Sequence, residues 1–399
     1  MISDPEQELV DFFKNMDLDL RKSEFSMFID QKVTPDVLCF ISDCVLNLPN
    51  TQSFTTSDIW NSYYFERNVT AIFGKPSPKN ENASSEYDKF IIQPLRVLYY
   101  SEVLESERKG HGYSYSIKNH EILEFISIKE RNSYIFLYQY LMKVLSDSGL
   151  LTFFEKFRQK CEIGDVSNED YTELRNRFIM FMRGHTPINQ DVEIRRIFPK
   201  ILNIYAYAHM INGSEKGSLS KYPFQWSDLM YNRLNWRDTS KSKAITRREA
   251  ESYRDRGPSD DYFAYLINKA KALINKKYGG SEVRDKYAVG PASHVHHIFP
   301  VSTFRELATY LENLIKLTPT QHLSMAHPNG NTHLINQDYQ SVCLLAKSMS
   351  IEESLKNGEM FYSVPNFVHV INTGLGLSLS TGTDFNSIRR AINNYYNRI

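Results

Sequence analysis

Five of the chain's eleven histidines fall within the 34 residues from His294 to His327, and this cluster constrains the chain more than any other feature. His294, His296 and His297 stand in a run that closes with Ile298-Phe299-Pro300. His322 and His327 follow in Leu317-Thr318-Pro319-Thr320-Gln321-His322-Leu323-Ser324-Met325-Ala326-His327-Pro328, with Glu312-Asn313-Leu314 between the two groups. Imidazole is the commonest metal ligand and the side chain whose ordinary pKa lies nearest neutrality. A histidine pair, an asparagine and a spaced histidine pair make a reactive constellation, and the fold has to bring them together.

The residues around the histidines carry their own structural signals. Val295 to Ile298 reads as a short strand stopped by Pro300, and Leu314 to Leu317 as a second strand. Thr318-Pro319 opens a helix carrying His322, with proline at an early helical position. Neighbouring residues on a strand point to opposite faces, so His296 and His297 are free for different tasks.

This order of elements and residues, from His294 to Pro328, resembles the ββα-metal unit of the HNH nucleases. The resemblance implies that His296, His322 and His327 hold a divalent metal, Mg2+ or a substitute such as Mn2+. It implies that His297 is the general base that deprotonates the attacking water and that Asn313 braces the loop and orients His297. The implied reaction is hydrolysis of a phosphodiester bond to a 5′-phosphate and a 3′-hydroxyl, with the metal clamping phosphate charge. Two positions depart from the family pattern. His322 and His327 are five apart, which on an ideal α-helix sets them ~140° apart, so His327 is expected just past the helix end, with His333 in reserve. His294 stands where the family often has an acid, and its expected place is beside the ligands or at the phosphate.

The rest of the chain sets the context. At 399 residues with 41% hydrophobic and 24% charged residues, it is long enough for two or three domains. Its four cysteines (Cys39, Cys44, Cys161, Cys343) have no metal-ribbon or disulfide spacing, which points to a reducing cytoplasm. No apolar run is long enough to span a membrane, the N-terminal residues are polar and acidic, and no phosphate-binding G-x-x-x-x-G-K-[ST] occurs. The expectation is a cytoplasmic bacterial or archaeal protein that uses no ATP.

Upstream, residues 5–50 read as helical scaffold. Residues 51–125 read as a capped short helix after Thr55, a helix from Tyr87 to Tyr100 interrupted by Pro94, and two strands flanking Glu107-Arg108-Lys109-Gly110-His111-Gly112. Helix, helix and basic-tipped hairpin resemble a winged helix-turn-helix, which implies DNA contacts from Arg96, Arg108 and Lys109. Residues 120–210 read as helices, and their arginines as a solvated face. Residues 231–256 hold eight basic and four acidic side chains, +4 in a chain whose formal net charge is zero. Arg247 and Arg248 there are candidate phosphate contacts. Asp260 to Tyr278 reads as an amphipathic helix, Tyr362 to Asn372 as a strand weakened by Pro365, and Gly374-Leu375-Gly376 as a turn.

The expected fold is therefore α+β and mostly helical. Residues 1–125 form a helical and winged-helix-like DNA-binding part, 126–256 a helical region with a basic linker, and 257–399 the nuclease domain with C-terminal helices. A compact cutter behind a large recognition part resembles type II HNH restriction endonucleases. That implies a sequence-specific cut in double-stranded DNA and a cognate DNA methyltransferase as partner, and it admits a homodimer. Two other readings fit the same residues: an endonuclease that depends on modified bases, and a winged-helix regulator with an inactive HNH fold.

Overall fold

The computed structural model describes residues 5–23, 27–75, 77–79, 84–110, 112–188, 190–231, 260–327 and 335–397. It is mostly helical with small two-stranded antiparallel sheets. The chain divides into two compact units, Leu9–Gly257 and Pro258–Ile399, the second also taking in the first eight residues.

α1 (Pro5–Lys14), which belongs to the larger unit from Leu9 onward, is followed by α2 (Leu20–Ser23) and α3 (Pro35–Leu46). Eleven of the twelve residues of α3 are buried, so this helix is the axis of the unit's core. Phe54 then exchanges two backbone hydrogen bonds with Tyr115, at 2.9 and 2.7 Å. α4 (Thr56–Trp60) starts at a capping box in which Thr55 and Asp58 bond each other's backbone amides. α5 (Tyr63–Phe73) and α6 (Ser84–Tyr100, with Pro94 inside) lead to β1 (Leu104–Lys109) and β2 (Gly112–Ile117). These strands pair from Leu104↔Ile117 to Lys109↔Gly112, and Gly110 turns the tip at φ +63°. α7 (His120–Ile128) and α8 (Glu130–Asp147) both pack on α3. The segments on either side of residue 125 therefore pack on the same helix.

α9 (Leu151–Glu162), α10 (Asn168–His185) and α11 (Asp191–Ala208) extend the bundle. Arg177 and Arg183 pair with Glu173 and Asp191 at 2.7 Å each, as expected of a solvated face. An unanticipated hairpin follows, β3 (Asn212–Glu215) and β4 (Ser218–Pro223), before α12 (Trp226–Leu229). Its Asn, Gly, Ser and Lys residues are poor strand formers. A side chain from α11 compensates: Asn203 pairs with Ser214 like a neighbouring strand, Oδ1 accepting from its N–H at 2.6 Å and Nδ2 donating to its carbonyl at 3.1 Å.

The smaller unit opens with α13 (Asp260–Lys277), which lies against β5 (His294–His297) and β6 (Leu314–Leu317). These strands pair antiparallel, His294↔Leu317 to His297↔Leu314. A single π-helical turn (Gln321–Ala326) follows, then α14 (Gln337–Lys356), α15 (Val364–Leu375) and α16 (Phe385–Tyr396). α15 replaces the strand expected from Tyr362 to Asn372. Its β-branched residues suggested an extended chain, but Phe367, Val368, Ile371 and Leu375 recur at helical spacing and are all buried. Pro365 sits in the first turn, where a missing N–H costs nothing.

The Gly374-Leu375-Gly376 stretch is likewise no free turn. Gly376 ends α15 in the left-handed region (φ +64°), while Gly374 lies inside the helix under the ring of Phe299. A Cβ there would stand 2.3–2.4 Å from three ring carbons. Gly374→Ala is expected to destabilise the protein by about 1–3 kcal/mol through overpacking, measured by urea unfolding. An unchanged midpoint would show that Phe299 yields freely.

Candidate metal centre

β5 delivers two histidines in opposite directions. His296 is buried and His297 half-buried. On the first face, His296 meets His322 and His327 with ring centroids 5.1 and 4.9 Å away, and His322 and His327 are 4.9 Å apart. One nitrogen from each ring lies within 4.8 Å of the others.

The five-residue spacing that looked wrong for a helix is resolved by the turn itself. Gln321 to Ala326 is π-helical, and a π turn closes i onto i+5 instead of i+4. The backbone then leaves the helix at His327, which is extended (φ −121°, ψ 107°), and its ring swings back onto His322. His294 joins from the same strand face, its ring stacked on His322 at 4.9 Å, and Ser293 Oγ lies 3.2 Å from its Nδ1. His333 lies outside the described residues.

On the other face, His297 donates from Nε2 to the carbonyl of Ala308 at 2.9 Å. A carbonyl only accepts, so this bond fixes the tautomer and leaves the Nδ1 lone pair available. Asn313 supports that carbonyl's loop. It is fully buried; its Oδ1 accepts from Phe299 N–H at 2.8 Å, and its Nδ2 donates to the carbonyls of Phe299 (3.0 Å) and Leu307 (3.2 Å). Asn313 thus ties the residues just after β5 to the turn that presents Ala308.

The turn carrying His322 is anchored from below. Thr318 and Gln321 cap one another, Thr318 N–H donating to Gln321 Oε1 at 3.0 Å and Gln321 N–H to Thr318 Oγ1 at 3.3 Å. Gln321 Nε2 reaches the Val283 carbonyl and Asp285 Oδ1, both at 2.9 Å, and Tyr339 donates to the other oxygen of Asp285 at 2.8 Å. Beneath β6, Glu282 accepts from Lys316 N–H at 2.9 Å and from the Lys347 ammonium at 2.6 Å, with both side chains of this ion pair fully buried.

Burial favours the neutral form of His296, His297 and His322. Burial, with smaller repulsion from neighbouring histidines and Lys271, holds His322 down to about 4 and His296 well below its ordinary value. Burial outweighs the Ala308 bond and holds His297 down to about 4. Neutral imidazole is the form that ligates a metal and accepts a proton.

The donor chemistry fits a divalent cation. His322 Nδ1 is buried without a hydrogen-bond partner among the described residues, and an orphaned buried nitrogen is costly unless something occupies it. The three ligand candidates are all imidazoles, which suit zinc, nickel and copper better than the oxygen-seeking Mg2+.

Other residues expected at a functional site lie elsewhere. Arg108 and Lys109 are exposed at the end of β1, and Arg96 is half-buried on α6, all in the larger unit. Arg247 and Arg248 lie outside the described residues. The chain's sequence gave no direct sign of Gln321, Asp285 or Glu282, whose partners lie 34 to 65 residues away. The Thr318-x-x-Gln321 capping pattern was the one local clue. All four cysteines are free thiols, and no described helix is long and apolar enough to cross a membrane.

No family model, no curated protein and no solved structure matches this chain.

Metal uptake is therefore the first test of the site. Ligand-free protein given Ni2+ or Zn2+ at roughly a hundredfold excess over Kd should gain about 2.7 kcal/mol, seen as a raised melting temperature. His322→Ala should remove most of that gain while the protein still folds. An equal gain in the variant would place the metal elsewhere.

Proposed function

We propose that the protein is a metal-dependent endonuclease of the HNH type that hydrolyses phosphodiester bonds in double-stranded DNA. The observation that carries this reading is the division of labour on β5. His296 turns toward two further imidazoles, while His297 turns away with Nε2 engaged and Nδ1 open. His296, His322 and His327 would hold a divalent cation, which would supply charge neutralisation at the phosphate. His297 does the proton work. Its Nδ1 takes a proton from the attacking water, and the Ala308 carbonyl stabilises the imidazolium that results. Asn313 holds the loop bearing Ala308, so it positions the base without touching the substrate.

The donor set bears on which metal serves. Mg2+ and Mn2+ are the metals implied by the resemblance, but three imidazoles favour Zn2+ or Ni2+. Cleavage should be stronger with Ni2+ or Zn2+ than with Mg2+ at equal concentration. The reverse order would mean that oxygen donors complete the site.

DNA recognition is assigned to the larger unit. Its order α3, Phe54, α4 and α5, α6, β1, β2, with Tyr115 of β2 bridged to Phe54 on one side and paired with β1 on the other, supports a winged helix. In that reading Arg108 and Lys109 on the exposed hairpin touch the backbone. A fixed site in unmodified DNA, with a partner methyltransferase protecting the host, fits a restriction enzyme.

The test is incubation of purified protein with unmodified and methylated plasmid across a divalent-metal series. Discrete fragments from unmodified plasmid are expected. Cutting of methylated plasmid alone would move the assignment to a modification-dependent enzyme, and no cutting with any metal would overturn the nuclease reading. His297→Ala should slow cleavage by roughly 10²–10⁴-fold while DNA binding is retained. Full residual rate in that variant would remove His297 from the base role.

A further inference from the structure

We propose that Arg305 is a phosphate clamp, gripping a DNA backbone phosphate next to the one at which His297 acts and so setting the strand against the base. The inference rests on the nuclease reading and adds to it a substrate contact from a residue outside the histidine constellation. Arg305 opens the 3₁₀ turn Arg305–Leu307. Its carbonyl accepts from the Ala308 N–H at 3.3 Å, and the Ala308 carbonyl is the one that accepts from His297 Nε2 at 2.9 Å. Two successive hydrogen bonds therefore link the backbone of Arg305 to the ring of His297. Asn313 holds the same turn through the Leu307 carbonyl at 3.2 Å, and Leu307 and Ala308 are fully buried. The root of this arginine is fixed by the same contacts that fix His297.

The side chain is placed as well. The guanidinium carbon lies 4.2 Å from the centroid of the Phe263 ring of α13, within cation–π range, while the side chain stays 62% exposed. A guanidinium carries five N–H donors in a rigid fork. Among the described residues Arg305 uses that fork once, Nη2 donating to Asp260 Oδ1 at 3.1 Å. The Asp260 side chain is 97% exposed, and an ion pair so open to water contributes little and is readily exchanged. Asp260 is thus an oxyanion already standing at one edge of the fork.

A flat cation backed by a ring, with donors to spare, suits an anion that accepts two parallel bonds, as phosphate does. Its position selects which phosphate. A 3₁₀ turn advances about 2 Å per residue, so Arg305 is rooted about 6 Å along the turn from Ala308. Phosphates follow one another about every 3.4 Å along the axis on one strand of a duplex. The anion within reach is therefore a neighbour of the scissile phosphate. Asp261 and Glu306, which follow the two paired residues in the chain, are acidic, Asp261 and Glu306 both being exposed. The surroundings are not broadly basic, and the clamp is one contact that places the strand instead of a patch that gathers DNA.

The test follows binding of the whole protein to a short mixed-sequence DNA duplex by fluorescence anisotropy, without added metal, over a series of salt concentrations. Arg305→Gln should bind roughly three- to tenfold more weakly at low salt, and the slope of log affinity against log salt should flatten by about 0.9, the loss of one phosphate contact. Arg305→Lys, which keeps the charge, should keep the slope. Asp260→Asn should bind roughly two- to fivefold more tightly, because the competing carboxylate is gone. Ni2+ uptake, titrated separately, should be the same in all four proteins, since no candidate ligand is touched. Unchanged affinity and slope in Arg305→Gln, or no gain in Asp260→Asn, overturns the inference and leaves the nuclease reading intact. Weaker Ni2+ uptake by Arg305→Gln also overturns it, because the residue would then support the turn and not the strand. If the unaltered protein does not bind duplex DNA at all, the nuclease reading fails and this inference with it.

Discussion

Two strands of four residues each cannot hold a cluster of histidine side chains in place by their own pairing. The constraint on which this unit depends is the buried polar framework around them, above all Glu282. Its backbone N–H donates to the Lys316 carbonyl at 2.9 Å, and its carboxylate receives the Lys316 N–H, so one residue acts as a third strand at the edge of β6. The same carboxylate is held by the Lys347 ammonium of α14, which also reaches the Tyr362 hydroxyl at 3.1 Å. A buried ion pair is weak evidence for net stability, because both charges have been stripped of water. Its value here is geometric: with both Glu282 oxygens and the Lys347 ammonium engaged, the sheet is tied in place against α14.

From that base, two amides set the site. Asn313 fixes the loop that fastens His297, and Gln321 fixes the turn that carries His322 and His327. Each uses both ends of its side chain, which leaves little rotational freedom. The histidine side chains can therefore stand on a short, irregular piece of backbone and still face one another. The π turn is part of the same arrangement. It absorbs the residue that separates a five-residue spacing from a four-residue one, which an α-helix could not do without turning His327 away.

What the sequence made legible was local. The two strands, the histidines with their opposite faces, the helical start at Thr318-Pro319 and the hairpin with a basic tip all follow from spacing and neighbours. His327 stands past the helix end, as its position before Pro328 led one to expect. The framework was not legible, since Glu282, Asp285 and Gln321 look like ordinary polar residues until the chain closes over 34 to 65 positions. α15 was misread because Val364, Val368 and Val370 favour strands locally, while burial of a helical stripe decided the outcome. The hairpin of β3 and β4 escaped for the opposite reason: its pairing is completed by Asn203 of α11, which no reading of residues 212–223 contains.

The central claim is that His296, His322 and His327 converge on one cation despite the five-residue spacing of the last pair. X-ray absorption at the metal edge of the Ni2+-loaded protein tests it most directly, because it counts imidazole ligands without requiring activity. The account predicts three imidazoles in the unaltered protein and two in His327→Ala. A ligand shell of oxygens only, or a spectrum unchanged by His327→Ala, would contradict it.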